Sequence, residues 1–256
     1  MAPDLSQFSL EGRGALVTGA SRGIGAAIAI ALAEAGADVA VHGNQTPGDA
    51  TLARVRAFGR RGRGLVGDMG DPDTPDRLVE ETVSAFGRLD IVVNNAGIIR
   101  RGPTIETTDL DWNAVIDVNL HGVFRLCRAT GRHLLAAGKG GKLINIASLL
   151  SFQGGLNVPA YAAAKSAVAG LTRELSNEWA GKGINVNAIA PGYMRTDNTA
   201  ALQKDETRNR QILERIPAGR WGEPGDLRGA AVFLASRASD YVHGQVLAVD
   251  GGWLGR

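Results

Sequence analysis

Short apolar runs alternate with longer segments of helical period along most of the chain, and this alternation restricts the possible folds more than any other feature. Six runs predict strands, at 15–17, 38–41, 91–93, 143–146, 184–189 and 246–249, and a weaker seventh lies at 64–67. Segments with helical spacing lie between them, at 24–35, 75–86, 112–135, 161–180 and 226–234. Brief apolar strands without clean alternation are typical of parallel sheets buried on both faces. The pattern predicts an α/β fold with a doubly wound, seven-stranded parallel sheet.

Composition excludes several classes of protein. The 256 residues are 44% hydrophobic and 21% charged, as in a soluble globular protein, and can form a single α/β domain over 1–256. Because 28 cations face 26 anions, no strong positive field is expected, which argues against a nucleic-acid partner. The one cysteine, Cys127, excludes an internal disulfide and predicts a packing residue. The four histidines lack metal-ligand spacing, so no metal site is predicted.

The sequence carries no recognisable targeting or membrane signal. Its first residues, MAPDLSQFSLEGRG, lack the apolar run of a signal peptide. An uncharged apolar stretch of about 18 residues, which a membrane span needs, is also missing. We therefore expect a cytoplasmic protein without a membrane partner.

The segment 194–216 departs from the regular alternation. It is polar and rich in charge, and prolines lie on both sides of it. One interpretation is a solvated surface helix. The other is a mobile substrate lid, because loops at the carboxyl ends of parallel strands form such covers over pockets.

A glycine-rich stretch, TGASRGIG at 18–25, follows the first predicted strand and opens the first helix. Glycines at such a turn let the backbone approach a pyrophosphate, and the helix N-terminus offers free N–H groups to phosphate oxygens. The stretch therefore predicts a dinucleotide site in a Rossmann-like sheet. Its candidate cofactor-binding residues are Gly19, Ser21, Arg22, Gly23, Ile24 and Gly25.

The spacing G-x-x-x-G-x-G resembles the short-chain dehydrogenase/reductase family, and further motifs of that family follow in order over 13–252. The sequence NNAG at 94–97 ends the fourth predicted strand, and a P-G…T element follows the sixth. The resemblance implies an NAD(P) cofactor, with an acid at the end of the third strand beside its adenine. The further cofactor residues that it implies are Asp68, Met69, Asn95, Ala96, Gly97, Pro191, Gly192 and Thr196.

The end of the second strand bears on the choice between NAD and NADP. An acid there would bind the ribose 2′-hydroxyl and repel a 2′-phosphate. This chain instead has His42-Gly43-Asn44, which makes His42 and Asn44 cofactor candidates, and Arg22 is a candidate phosphate partner. The sequence leans slightly towards NADP and leaves NAD open.

Ser148, Tyr161 and Lys165 are the candidate catalytic group. Tyr161 and Lys165 are four residues apart on one helix and therefore share a face. A free tyrosine has a pKa near 10, and a cation at about 4 Å can lower that pKa by about 2–3 units. The spacing therefore predicts that Lys165 makes Tyr161 more acidic.

The family resemblance implies a role for each member of this group. Tyr161 takes or gives the proton of the reacting oxygen, while Ser148 hydrogen-bonds the same oxygen. Hydride passes between the substrate carbon and the nicotinamide, which Tyr161 and Lys165 also contact. Asn119, in DVNL, matches the asparagine that supports a lysine-linked water relay.

Several stretches, among them NNAGIIRR at 94–101 and VDGGWL at 249–254, resemble the sugar-acid branch of the family. This resemblance implies oxidoreduction at a secondary alcohol or ketone of a gluconate or deoxy-ketogluconate type of acid. A carboxylate calls for a guanidinium partner, for which Arg101 and Arg195 are candidates. Gln153 is a candidate for binding sugar hydroxyls.

Two other functions stay open. One is a reductase of 3-oxoacyl thioesters, in which Arg208, Arg210 and Arg215 would meet an acidic carrier protein. The other is a redox-sensing protein that binds the cofactor without turnover, against which the intact catalytic group argues. The family resemblance also implies a homotetramer.

Overall fold

The computed structural model describes residues 5–256, and within them the strands form a single seven-stranded parallel sheet. The strand order is β3-β2-β1-β4-β5-β6-β7. The first three strands are therefore added towards one edge of the sheet and the last four towards the other edge, with the change between β1 and β4. The doubly wound fold predicted from the sequence is confirmed. The strands are β1 (Gly14–Val17), β2 (Asp38–Gly43), β3 (Gly62–Val66), β4 (Ile91–Asn94), β5 (Gly141–Ile146), β6 (Ile184–Pro191) and β7 (Val246–Val249).

Helices cover both faces of the sheet. In chain order they are α1 (Gly23–Glu34), α2 (Asp49–Ala57), α3 (Thr74–Phe86), α4 (Asp109–Ile116), α5 (Gly122–Ala136), α6 (Pro159–Trp179), α7 (Ala200–Lys204), α8 (Glu206–Arg215) and α9 (Arg228–Ala235). Across residues 5–256, no helix combines the length and apolar character that a bilayer crossing requires.

Alternate residues of the strands enter two separate cores. Val39 and Val41 of β2 belong to the core that includes residues of α1, α2 and α9, whereas Ala40 between them belongs to the core that includes residues of α3, α5 and α6. Both faces of the strands are therefore apolar, which is why the sequence shows continuous runs and not an alternation. Cys127 lies fully buried in the second core, as a packing residue.

Two helical segments differ from the sequence prediction. The helix α2 was not predicted, because only three of its nine residues are buried and its sequence has a weak apolar stripe. The predicted helix 112–135 begins earlier, where the Thr108 side chain accepts a hydrogen bond from the Asp111 amide. It is also divided by a π-helical turn at Asp117–His121, which lies between α4 and α5.

The segment 194–216 forms α7 and α8 and contributes to a third apolar cluster. Ile212 and Ile216 pack there with Leu149, Trp221 and Trp253. The interpretation as a solvated surface helix therefore holds for only part of the segment, because its apolar side is anchored. The segment follows β6 and packs against the loop that follows β5, so the interpretation as a substrate lid stays a prediction.

Candidate active site

The glycine loop between β1 and α1 requires glycine on steric grounds. Gly19 and Gly23 have φ values of +60° and +59°, which side chains rarely adopt. A Cβ on Gly25 would lie within 2.4 Å of both the Asn95 Nδ2 and the Gly19 carbonyl oxygen. The turn therefore has no room for a side chain at Gly25, and its backbone faces the cleft at the end of β1.

Asn95 fastens the end of β4 to this loop. Its Nδ2 donates hydrogen bonds to the carbonyl oxygens of Thr18 and Gly19, at 2.8 and 2.9 Å. In return, the Thr18 hydroxyl accepts from the amides of Asn95 and Ala96, each at 3.0 Å. The NNAG motif therefore holds the backbone of the glycine loop in place, in addition to lying beside the cleft. This role of Thr18 was not predicted from the sequence.

The start of α1 fits a bound dinucleotide. Arg22 is the N-cap residue, and its side chain makes no capping hydrogen bond, so the first amides of this helix remain available to phosphate oxygens. The Arg22 Nε instead lies 3.0 Å from the Asp197 Oδ2, and both side chains are largely exposed. Ser21 and Ile24 flank Arg22, with Ile24 packed against the core beneath α1.

The end of β2 departs from what the sequence suggested. The His42 side chain does not face the cleft: it is buried at 1% exposure beneath the glycine loop, where its Nδ1 lies 3.3 Å from the Gly19 amide nitrogen. This side chain therefore has almost no exposed surface for direct contact with a cofactor, and it contacts the cofactor loop instead. Asn44 is exposed at the strand end, as is Asp68 after β3, whereas Met69 is buried.

On the opposite side of the cleft, β6 ends at Pro191, and Gly192 follows it. A Cβ on Gly192 would lie 2.6 Å from the Asp250 Cα, so the chain after β6 passes directly against the chain after β7. Thr196 begins the turn before α7, and its Cγ2 lies 3.8 Å from the Cβ position of Gly23. The P-G…T element and the glycine loop therefore meet across the cleft.

The structure brings Ser148, Tyr161 and Lys165 together where β5 ends and α6 begins. Lys165 is buried, and its Nζ donates a hydrogen bond of 2.6 Å to the Ile146 carbonyl oxygen. The same Nζ lies 5.6 Å from the centre of the Tyr161 ring. The Ser151 hydroxyl donates to the Lys165 carbonyl oxygen at 2.6 Å, which fixes α6 against the loop that carries Ser148.

The pKa shift of Tyr161 differs in direction from the one that the sequence predicts. Burial raises the pKa of Tyr161, and this effect outweighs the opposing hydrogen bond with Ser148 and the charge of Arg101. Lys165 is not among the groups that lower the pKa of Tyr161; its own pKa falls to about 8 because it is desolvated. The expected acidification of Tyr161 by Lys165 therefore stays a prediction, since within the protein burial is the largest effect and raises the pKa of Tyr161.

Asn119 lies fully buried in the π-helical turn between α4 and α5. Its Oδ1 accepts from the Ile98 amide and its Nδ2 donates to the Ile98 carbonyl oxygen, both at 2.9 Å. A Cβ on Gly97 would lie 3.3 Å from the same Oδ1. Asn119 therefore holds the chain just after the NNAG motif, a contact that sequence spacing did not predict.

The substrate candidates have different surroundings. Arg101 donates to the Asn198 carbonyl oxygen at 3.2 Å, and its charge reaches Tyr161. Arg195 instead pairs with Glu223 at 3.1 Å and donates to the Gln203 Oε1. Of the two arginines, only Arg101 has an electrostatic link to the phenol.

The side-chain oxygen of Gln153 is already engaged. Its Oε1 accepts from Arg215 Nη2 at 3.3 Å and from Trp253 Nε1 at 3.1 Å. The Arg215 guanidinium stacks over the Trp253 ring at 4.1 Å. This cluster is not predictable from sequence spacing, since its members come from three distant parts of the chain.

Comparison with known proteins gives concordant results. A family model described as enoyl-(acyl carrier protein) reductase matches residues 19–254. The 2-dehydro-3-deoxy-D-gluconate 5-dehydrogenase of Dickeya dadantii is 54% identical over 98% of this chain and 99% of that protein.

Two solved structures are also similar to the chain. An Agrobacterium tumefaciens protein, provisionally named a 2-deoxy-D-gluconate 3-dehydrogenase and solved with bound NADP, has a TM-score of 0.92 and 56% identity, over 98% of this chain and 99% of that one. A gluconate 5-dehydrogenase from Burkholderia cenocepacia, in complex with NADP and tartrate, has a TM-score of 0.92 and 41% identity with the same coverage. This chain therefore belongs to the short-chain dehydrogenase/reductase family.

Proposed function

We propose that this protein transfers a hydride between NADP and a secondary alcohol or ketone of a sugar acid, of the gluconate or deoxy-ketogluconate type. The relatives support this substrate class, because those of 52–54% identity are named 2-dehydro-3-deoxy-D-gluconate 5-dehydrogenases. One arrangement within the chain carries the proposal: the Ile146 carbonyl oxygen holds the Lys165 ammonium 5.6 Å from the centre of the Tyr161 ring, next to the loop that carries Ser148.

Tyr161 is proposed as the proton-transfer residue. During oxidation its phenolate oxygen accepts the hydroxyl proton of the substrate, and during reduction its phenol returns a proton to the carbonyl oxygen. The Ser148 hydroxyl donates a hydrogen bond to the same oxygen while negative charge develops there. The bound nicotinamide supplies the hydride chemistry, so the alcohol loses one hydride and one proton in each oxidation.

Lys165 and Asn119 are proposed to support this proton transfer. The contact with Ile146 holds the Lys165 Nζ near the face of the Tyr161 ring. With its pKa lowered to about 8, Lys165 can exchange a proton near neutral pH, as a proton relay requires. Asn119 holds Ile98 in place beside this route.

Arg101 is proposed as the partner of the substrate carboxylate. A hydrogen bond to a charged group contributes about 1.5–3 kcal/mol, so Arg101→Ala should lower kcat/KM for hexonates at least about tenfold. Arg195→Ala is the matched control, because Glu223 already pairs with this exposed arginine, and it should change kcat/KM less than about twofold. Unchanged kcat/KM in Arg101→Ala would remove Arg101 from the substrate site.

Gln153 is proposed to donate to a sugar hydroxyl. Because Arg215 and Trp253 both donate to its Oε1, the amide orientation is fixed and the Nε2 is left to act as a donor. Gln153→Glu removes that donor while keeping an acceptor for both partners. It should raise KM for hexonates with little change in the dissociation constant of NADP.

Arg22 is proposed as a partner of the NADP 2′-phosphate, in exchange for its exposed ion pair with Asp197, which contributes little free energy. The end of β2 carries no acid to repel this phosphate, and relatives have been solved with NADP. Arg22→Ala should raise the dissociation constant of NADP and leave that of NAD nearly unchanged. Arg195→Ala again serves as the control, and equal weakening of both cofactors by Arg22→Ala would contradict the assignment.

The thioester reductase is not favoured, because the relatives of 52–54% identity are named sugar-acid dehydrogenases. Assays of hexonates, ketohexonates and acetoacetyl thioesters with both cofactors test the proposed function directly. Turnover of thioesters alone would overturn it, and cofactor binding without any turnover would favour a sensor.

We further propose a cytoplasmic homotetramer built from one domain over 1–256, with no nucleic-acid partner and with 194–216 as the substrate lid. Exposed apolar side chains such as Leu110 and Phe124 support self-association. Sedimentation of the purified protein tests the tetramer. Hydrogen exchange tests the lid, which should gain protection when NADP and a hexonate are added together.

A further inference from the structure

His42 occupies a position under the glycine loop that the proposed reaction does not use. Its side chain is 1% exposed, and its two ring nitrogens meet two different segments. The Nδ1 lies 3.3 Å from the amide nitrogen of Gly19 in the glycine loop. The Nε2 lies 2.9 Å from the carbonyl oxygen of Gly67, just after β3. His42 therefore connects the cofactor loop to the neighbouring strand end.

These two partners determine the protonation of the ring. The Gly67 carbonyl can only accept a hydrogen bond, so the Nε2 must carry a hydrogen. The Gly19 amide can only donate, so the Nδ1 must offer its lone pair. Only the neutral Nε2–H tautomer satisfies both partners. A protonated ring would point an N–H at the Gly19 N–H, and one of the two groups would have to move.

The Gly19 backbone has little freedom to adjust in place. Its carbonyl oxygen accepts from the Asn95 Nδ2 at 2.9 Å, and the next amide, of Ala20, donates to the His42 carbonyl oxygen at 2.7 Å. A Cβ on Gly19 would lie 2.8 Å from the Ala96 Cα, so the chain just after β4 limits movement on that side. Protonation of His42 would therefore distort the turn that presents the amides of α1 to the pyrophosphate.

We propose that His42 is a positioning residue for the dinucleotide, and that its protonation weakens cofactor binding by displacing Gly19. The inference rests on the proposed cofactor site. Burial has the largest effect and lowers the pKa of His42, and the hydrogen bond with the Gly67 carbonyl oxygen opposes it in part. The charged neighbours are Arg77, which disfavours the protonated ring, and Asp68, which favours it. The pKa of His42 is lowered overall, so the neutral form prevails near neutral pH.

The test measures NAD binding by tryptophan fluorescence, together with the His42 titration by NMR. NAD is used because a 2′-phosphate itself titrates near pH 6. His42→Asn serves to identify the His42 signal. In the wild type, the dissociation constant should rise about three- to tenfold between one pH unit above and one below the His42 pKa. Because NAD binds the neutral form, its addition should lower that pKa.

Two variants separate positioning from general stability. His42→Asn keeps an acceptor near the Nδ1 position and does not titrate, so it should bind NAD within about threefold of the wild type at every pH. His42→Leu lacks the acceptor and should bind weakly at every pH. The inference is overturned if His42→Asn shows the same pH dependence as the wild type. It is also overturned if NAD raises the His42 pKa, or if His42 does not titrate above pH 5. Failure of the wild type to bind NAD or NADP at pH 8 would instead refute the proposed cofactor site.

Discussion

Replacing Lys165 by methionine should abolish activity and should also stabilise the fold. In the folded state, burial lowers the pKa of Lys165 from 10.5 to about 8. Each pKa unit corresponds to about 1.4 kcal/mol, so holding this ammonium charged in the interior costs about 3 kcal/mol at pH 7. Loss of the hydrogen bond to the Ile146 carbonyl oxygen offsets about 1–2 kcal/mol of the gain. Lys165→Met should therefore be about 1–2 kcal/mol more stable at pH 7.

The pH dependence provides a sharper test than the stability at one pH. Between about pH 8 and 10.5 the unfolded chain keeps the Lys165 proton and the folded chain has lost it. The free energy of unfolding of the wild type should therefore rise through this window, relative to that of Lys165→Met. The difference between the two proteins should change by about 2–3 kcal/mol from pH 7 to pH 10.

Urea unfolding, monitored by circular dichroism at pH 7 and at pH 10, measures this difference in the free energy of unfolding. Lys139→Met, at an exposed position, is the control and should keep a constant difference from the wild type. The reasoning is refuted if Lys165→Met and the wild type change in parallel from pH 7 to pH 10. It is also refuted if Lys165→Met is less stable than the wild type by several kcal/mol at pH 7.

Three further predictions concern the phenol, the glycine loop and the π-helical turn. Tyr161→Phe should lower kcat about 10²–10⁴-fold, with NADP binding by fluorescence unchanged within about threefold; a kcat within tenfold of the wild type would contradict proton transfer by Tyr161. Gly25→Ala should lower the melting temperature and weaken NADP binding, because its Cβ would meet Asn95 and Gly19 at 2.4 Å. Its control, Gly170→Ala, has open space around a helical glycine and should gain about 0.5–1 kcal/mol of stability. Asn119→Ala should lose about 1–3 kcal/mol in urea unfolding and also activity, since both polar backbone groups of Ile98 lose their partner; stability equal to the wild type would show that these bonds are replaced.

The motifs were predictable from the sequence because each depends on neighbouring residues. The stretch 18–25 has glycine where a positive φ or a close approach demands it, as at Gly19 and Gly25. Tyr161 and Lys165 are four residues apart, so they share a face of their helix wherever that helix lies in the fold. The helix α2 was not predicted, because its three buried residues among nine form too weak an apolar pattern.

The sequence by itself determined the parallel sheet, the order of its motifs and the residue types at the cleft, because strand runs, glycine turns and helical spacing are local properties. Only the tertiary structure decided which charges meet. It paired Arg195 with Glu223, buried the Lys165 ammonium against the Ile146 carbonyl oxygen, and turned the His42 ring under the loop. It also reversed the expected pKa shift of Tyr161, since burial depends on everything packed around a group and outweighs the effect of one neighbour along the helix.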